Sequence, residues 1–458
     1  ARLTADHDNL LGALRYAIDT GDADLAIRLV AVLGEYWNLR ERPAEARAWY
    51  EAALAVPGPT PDVQRVLTLF MYAVSAVTIL DSEFSETAVR KLMRAIAEVR
   101  LITRRRPDPR IHLFGCVATA IAGMFRQDRP SMMRALDEAQ DDADPWNRAM
   151  AQMMRAMLAE NAGEVDQMRA DLTEALGGFR AIGDRWGMSL AQRGLASYAL
   201  QAGEHEAARA ALAESLRLLE ELGTRDGVPM LLTQLAQSKA ELGDVASART
   251  DLERACELSA RDGSPGGDSL SRAWLGVLER RDGNLAAARA LTEDAIARLG
   301  DRLERTAPQG IAMLRALMSR VAVAEGNVAD AGDLATRAVQ AAVASDDMPI
   351  LAMTVEAMAE VELRSGDPSR AAWLLGVAAA LRGMRSIPAS DVRRTVEALR
   401  DRLGDAYDTS YDEGAALTRE QALAELGQPA DASAGPVFRA EDRPGGVVVH
   451  RNRQVRRR

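Results

Sequence analysis

Through the second half of the chain, apolar residues recur at helical period in paired stretches joined by short polar turns. Each turn carries a glycine: Gly163, Gly203, Gly243, Gly283, Gly326 and Gly366, at intervals of 40, 40, 40, 43 and 40 residues. The turns read GEVDQM, GEHEAA, GDVASA, GNLAAA, GNVADA and GDPSRA. Helix-turn-helix units of this kind cannot cover their own apolar faces, so stacked neighbours must supply the core. The pattern therefore predicts an all-α solenoid with a long groove, with repeats of about 40 residues.

Superposing the repeats on their glycines exposes a small-large alternation. Seven residues before the turn stand Ala196, Ala236, Gly276, Ser319 and Ala359, and five after it Ala208, Ala248, Ala288, Ala331 and Ala371. Large apolar residues flank them, with Leu195, Leu235, Leu275, Met318 and Met358 eight before the glycine. This alternation, over at least Gln152 to Gly383, resembles the tetratricopeptide (TPR) family in its longer-helix variety. The resemblance implies a right-handed superhelix.

Earlier segments are less regular, as terminal repeats of an array usually are. Helices are expected from Thr4 to Ala17 with Thr4 or Asp6 as cap, from Gly21-Asp22 to about Asn38, and from Pro43 to Leu54. After the breaking run Val56 to Pro61, further helices are expected over Val63 to Leu80, Ser85 to Arg100 and Ile111 to Phe125. Arg104 to Arg110 reads as a loop because it contains two prolines. The resulting organisation is 1–56, a first helical module; 57–150, irregular repeats; 151–383, regular repeats; 384–426, capping helices; and 427–458, an Arg-rich disordered tail.

The two ends carry a second resemblance. Leu3 to Leu54 includes an acidic-His-x-Asn-Leu motif at Asp6 to Leu10, the aromatic run Glu35-Tyr36-Trp37 and a following Arg/Glu-rich helix. This segment resembles the module that follows the ATPase in actinobacterial STAND-class transcriptional regulators of the SARP or LuxR type. Ala371 to Leu426 is similar to their usual ending. The resemblance implies a cytoplasmic, non-catalytic sensor arm that restrains an upstream NTPase in cis or binds an activator, supports homo-oligomerisation, and meets DNA only through a domain outside this chain. ATP or ADP is likewise expected only upstream, and no cofactor here. The alternatives are a stand-alone TPR adaptor and the regulatory end of a signalling enzyme such as a nucleotide cyclase.

Composition changes the picture in three ways. Hydrophobic residues make up 48% but aromatic ones only 4%, which suits close helix packing and argues against a β-rich fold. The formal charge of −10 gives no support for nucleic-acid binding by the bulk of the chain, although the tail from Gly427, with seven Arg against Asp431, Glu441 and Asp442, is basic. The only lysines are Lys91 and Lys239, a bias that suggests GC-rich coding. The chain opens on Ala1, which reads as a fragment of something longer, and no apolar run reaches the length of a membrane span.

Short chemical motifs find bland explanations. No Gly-Lys pair exists to build a phosphate-binding loop. HEAAR (His205 to Arg209) places Arg209 where a zinc protease needs its second histidine, and His205 is expected to face solvent in its turn. GDSL (Gly267 to Leu270) lacks a downstream histidine other than His450 and reads as a helix start capped by Asp268 or Ser269. His112 and Cys116, four apart, are two possible ligands where a metal site needs more, and Cys256 sits at a core position.

Function is then expected in the groove. If the TPR resemblance holds, first helices line it with residues ten, six and two before each glycine. No Lys and Asn clamp for a peptide carboxylate stands there. The candidates for contact with a protein or small-molecule inducer are Arg193, Gln237, Arg320 and Glu360. None is needed by the packing pattern, so each is expected to be dispensable for folding.

Overall fold

The computed structural model describes residues 6–39, 43–83, 86–124, 126, 128–224, 227–262, 265–306, 308–387 and 389–426. Every regular element among them is helical. The first part contains α1 (His7–Asp19), α2 (Ala23–Leu39), α3 (Pro43–Ala55), α4 (Asp62–Glu83), α5 (Glu86–Arg105), a 3-10 turn (Pro109–Ile111), α6 (His112–Met124) and α7 (Arg129–Gln140). Six regular pairs follow. They are α8 (Pro145–Asn161) with α9 (Val165–Ile182), α10 (Arg185–Ala202) with α11 (His205–Leu222), α12 (Val228–Glu241) with α13 (Val245–Asp262), α14 (Pro265–Arg281) with α15 (Leu285–Thr306), α16 (Pro308–Ala324) with α17 (Val328–Ser345), and α18 (Met348–Ser365) with α19 (Pro368–Arg382). Then come α20 (Ser390–Leu403), α21 (Ala406–Ala415) and α22 (Arg419–Glu425). The chain is an all-α solenoid. The Arg-rich tail and the proposed cap Thr4 lie outside the described residues.

Local chemistry sets the helix ends. All six turn glycines have positive φ, between 71° and 97°, so each helix stops in a left-handed conformation that other residues adopt at a cost. Asp144, Asp184, Asn327, Asp347 and Asp367 accept hydrogen bonds from the first turns of the helices they precede. Asp6 precedes α1 without a side-chain cap bond. Helix α5 runs to Arg105, further than its pattern indicates, and Arg106 leaves it because the next residue is Pro107.

The crossing positions are as tight as the sequence demands. Ala196, Ala208, Ala248, Ala288, Ala331, Ala359 and Ala371 are wholly buried. Where a hydroxyl stands instead, it is bonded: Ser319 Oγ donates to the Ala331 carbonyl at 2.8 Å, and Ser189 pairs with Ser215 at 2.8 Å. In the first module Trp37 is 1% exposed and packs edge-on against Tyr50 at 5.6 Å, so this aromatic run is core.

First helices of successive repeats (α12, α14, α16, α18) pack against one another as well as against their own partners. The first helices therefore form the inner layer of a curved array, and the curvature brings the sixth pair back onto the first. Helix α18 touches α8, and the Gly163 turn abuts the end of α19. A Cβ on Gly163 would lie 2.3 Å from the Leu381 carbonyl oxygen, and one on Gly383 only 1.9 Å from that of Gly163. Both glycines also have positive φ, 71° and 77°. The same device docks α21 on α19, where a Cβ on Gly376 would meet the Tyr411 carbonyl at 2.0 Å and one on Gly414 the Trp373 carbonyl at 2.1 Å.

Gly383→Ala is expected to cost more than the roughly 1 kcal/mol of backbone strain that Gly326→Ala should cost at its open turn. Thermal melts give that difference, and small-angle scattering should show a larger radius for Gly383→Ala alone. Ala288→Leu should overpack its crossing by about 1–3 kcal/mol in chemical denaturation.

Candidate functional site

The inner layer collects polar side chains from one end of each first helix. Because residues four apart share a helix face, positions six and two before each glycine point the same way. Ser197 and Gln201 both donate to Glu160 Oε1, at 2.5 and 3.1 Å. Further round stand Glu241, Arg281, Arg320 and Glu360.

The chain's own C-terminal segment lies across this face. After α19 it leaves the seam at Gly383, and Ser386 Oγ donates to the Gln201 carbonyl at 2.7 Å. The Ser390 amide donates to Glu241 Oε2 at 2.8 Å. Asp391 Oδ2 takes Arg280 Nη2 at 2.7 Å and Arg281 Nη2 at 3.3 Å, while Arg281 Nη2 also reaches Glu241 Oε1 at 2.5 Å. Arg402 then donates to the Leu363 carbonyl at 3.1 Å. The segment thus meets the first helices of the repeats in chain order.

Charge is balanced inside this enclosure. Arg280, Arg281, Arg320 and Arg382 face Glu241, Glu356, Glu360 and Asp391, with Arg394 adding to Asp391 from the rim. Burial would raise the Asp391 carboxyl, but Arg280, Arg320 and Arg281 hold it far below the usual carboxylate range. Arg281 is raised against the effect of its own burial by Asp391 and Glu241. Glu360 keeps a raised pKa because burial outweighs Arg320 and Arg280. Arg320 is the loosest member, 3.5 Å from Glu360 and 4.0 Å from Glu356, and its Nε makes no hydrogen bond.

Of the four residues expected in the groove, Arg320 and Glu360 do stand on the inner face and touch each other. They are not dispensable side chains, however: Arg320 is 6% exposed and both belong to the buried charge set. The sequence pattern alone did not reveal that Asp391, far along the chain, covers them. Arg193 and Gln237 are half-buried. Arg193 is close enough to Glu160 to lower its pKa, which burial raises, with Asp347 acting in the same sense as burial. Asp347 is itself raised, first by burial and then by Asp346. Sequence reasoning missed Glu160, Arg280, Arg382 and Asp391, whose charge alone did not set them apart from the solvated charges of the same helices.

Other motifs resolve differently from expectation. His205 is buried at the start of α11, not solvent-facing, because the turn folds back on the repeat core. Helix α14 begins at Pro265, a residue with no N–H to leave unpaired, so Asp268 and Ser269 lie within its first turn and do not cap it. Ser269 is 1% exposed, and Asp268 binds Arg272 at 3.0 Å and Arg298 at 2.9 Å. His112 Nδ1 pairs with Asp142 at 2.9 Å, its Nε2 lies 3.7 Å from Cys116 Sγ, and burial, then Glu138 and Asp142, push that thiol up to about 11. Among the described residues no three His, Cys, Asp or Glu are placed to hold a metal ion, and no helix is long and apolar enough to cross a membrane.

No protein-family model and no curated protein sequence matches the chain. Solved structures with a similar helical array include a Rap protein complexed with the competence and sporulation factor, at 11% identity and a TM-score of 0.47 over 74% of this chain and 98% of that one. Another is a STAND signal-transduction ATPase with a tetratricopeptide repeat sensor from Pyrococcus horikoshii, at 16% identity and a TM-score of 0.44, where 79% of this chain covers 55% of the larger protein. A third is the apo form of the quorum sensor NprR from B. thuringiensis, at 12% identity and a TM-score of 0.39 over 69% and 93%. These likenesses concern the architecture alone.

Arg320→Ala should leave Glu356 and Glu360 buried with less compensation, a loss of about 3 kcal/mol or more, whereas Gln237→Ala should stay within about 0.5 kcal/mol. Urea titration separates the two. The carboxyls raised by burial give a pH dependence. An acid with a raised folded pKa favours the folded state when protonated, so stability falls as pH rises from the ordinary value of about 4 through the raised one. Asp391 acts oppositely, contributing above its ordinary value and losing that contribution only as pH falls through its depressed one. Glu160→Gln should therefore raise the melting temperature at pH 7 and have little effect near pH 4, as calorimetry at the two pH values would show.

Proposed function

We propose that this chain is the non-catalytic sensor and protein-interaction arm of a bacterial transcriptional regulator, acting on an upstream NTPase and DNA-binding domain, with its inner face as the binding surface. The observation that carries this reading is the seating of residues 383–387 and 389–391 on that face. The polypeptide is held there by the Ser386 hydroxyl and, at the start of α20, by the Ser390 amide and the Asp391 carboxylate, received respectively by the Gln201 carbonyl, Glu241, and Arg280 with Arg281. A face built to hold one polypeptide segment has the chemistry to hold another. In this state the chain's own segment fills it, so an activating partner acts by exchange, shifting the balance between a covered and an uncovered inner face.

Asp391→Arg tests the reading in the intact regulator. It sets a further cation against Arg280, Arg281 and Arg320 and should expel the segment without touching the small-residue crossings. Reporter output without inducer is expected to change by about tenfold, the equivalent of roughly 1.4 kcal/mol in the covering equilibrium. Unchanged basal output together with a normal response to inducer would remove the inner face from regulation.

A further inference from the structure

A cavity of about 820 Å³ opens well away from the inner face, between the end of α5, the loop 106–108 that follows it, α6 and α7. Its volume is that of a site for a small organic molecule. Gly115 and Gly123 line it on α6, and their lack of side chains is already taken up by Thr103 and Met132, so the space is not a packing defect awaiting a methyl group.

Its charges are unevenly matched. Arg100, Arg104 and Arg126 all line the cavity, and none of the three has an ion-pair partner among the described residues. The Nε of Arg100 is buried without a hydrogen-bond acceptor. Burial, then the charges of Arg104 and Arg126, push the Arg100 guanidinium below its ordinary value, and no carboxylate counters them. None of the three guanidiniums is paired with the cavity's carboxylates, and although solvent screens the exposed Arg104 and Arg126, an anion that entered would relieve the repulsion on Arg100 and meet the free donors. The nearby acids that are tightly engaged are already used: Asp108 holds Arg110 at 2.7 Å, and Asp142 takes His112 at 2.9 Å and the Asp144 amide at 2.9 Å.

We propose that this cavity binds a small organic phosphate, with the phosphoryl group on Arg100, Arg104 and Arg126 and the organic body in the remaining space. A phosphate monoester is a dianion with three terminal oxygens, which suits three converging guanidiniums better than one carboxylate does. Inorganic phosphate alone leaves most of the volume empty. Glu138, Asp141 and Asp142 line the same cavity and repel an extended polyanion, so a nucleic-acid backbone does not fit the site. The site lies wholly before α8 and owes nothing to the proposed role of the inner face.

The test uses the full chain, calorimetry and thermal melts, with glucose 6-phosphate and inorganic phosphate as probes. Glucose, succinate and sodium chloride at matched ionic strength serve as comparators. Both phosphates should bind and raise the melting temperature, and the comparators should not. Arg104 and Arg126 are exposed, so Arg104→Gln and Arg126→Gln should melt like the parent without ligand. Each should weaken glucose 6-phosphate binding by about tenfold, the loss of one hydrogen bond to a charged group. Absence of phosphate binding at millimolar concentration, equal binding of succinate, or full binding by the Arg104→Gln/Arg126→Gln double variant would each overturn the assignment.

Discussion

Everything in this molecule follows from how closely its first helices approach one another. Alanine, serine or glycine at each crossing leaves room for backbone, not side chain, so each first helix seats closely on its own second helix, as Ser319 does on the Ala331 carbonyl and Gly276 does against Ala288 and Thr292. First helices of successive repeats also pack on one another, more closely than second helices do, and an array whose inner layer is tighter than its outer layer must curve. Curvature then brings the Gly163 turn against Gly383, where two backbones meet because neither residue has a side chain. The seam is a consequence of the crossings, and the enclosure a consequence of the seam.

Enclosure makes charge expensive and therefore informative. An ion taken out of water loses several kcal/mol that an opposite charge must return through good geometry. Asp391 meets that condition with Arg280 and Arg281 at hydrogen-bonding distance, and Arg382 meets it with Glu356. Arg320 does not, since its partners stand at 3.5 and 4.0 Å. A purely stabilising core would fill this volume with Leu and Val at less cost. Four cations and four anions instead give the C-terminal segment one register, because sliding it would move Asp391 away from Arg280 and Arg281 and Ser390 away from Glu241.

The array was legible because its constraint is local and repeated: a glycine with positive φ every 40 or 43 residues and a small residue at every crossing leave a periodic trace. The inner face was half legible. Helical spacing puts Arg320 and Glu360 on one surface, but Asp391, whose charge attracts Arg320 and opposes Glu360, lies 71 and 31 residues further on, in a segment with no repeat register to announce it. Nothing periodic marks Gly383 as the mate of Gly163. The cavity beside α6 was illegible for a related reason: Arg104 stands one turn after Arg100 on α5, but Arg126 lies beyond α6 and only the irregular first repeats bring it to them. His205 shows the local limit: a polar residue beside a turn reads as solvated until the turn's own packing covers it.

Under the function proposed for the inner face, competition there would be unequal by construction. The covering segment is tethered through α19, so it returns to its contacts at an effective concentration of about millimolar or higher, while a free partner must arrive by diffusion. A partner offering only the same amide, hydroxyl and carboxylate contacts would lose to it at ordinary cellular concentrations. To win, it must make contacts the segment leaves unmade, and those are few: the Nε of Arg320 has no acceptor, the Nε of Arg281 has none, and Gln237 and Arg193 are only half-buried. Selectivity at this face would then come from the groups that its own chain fails to satisfy. The fully paired Asp391 contacts would instead set how much binding free energy an incoming partner has to bring.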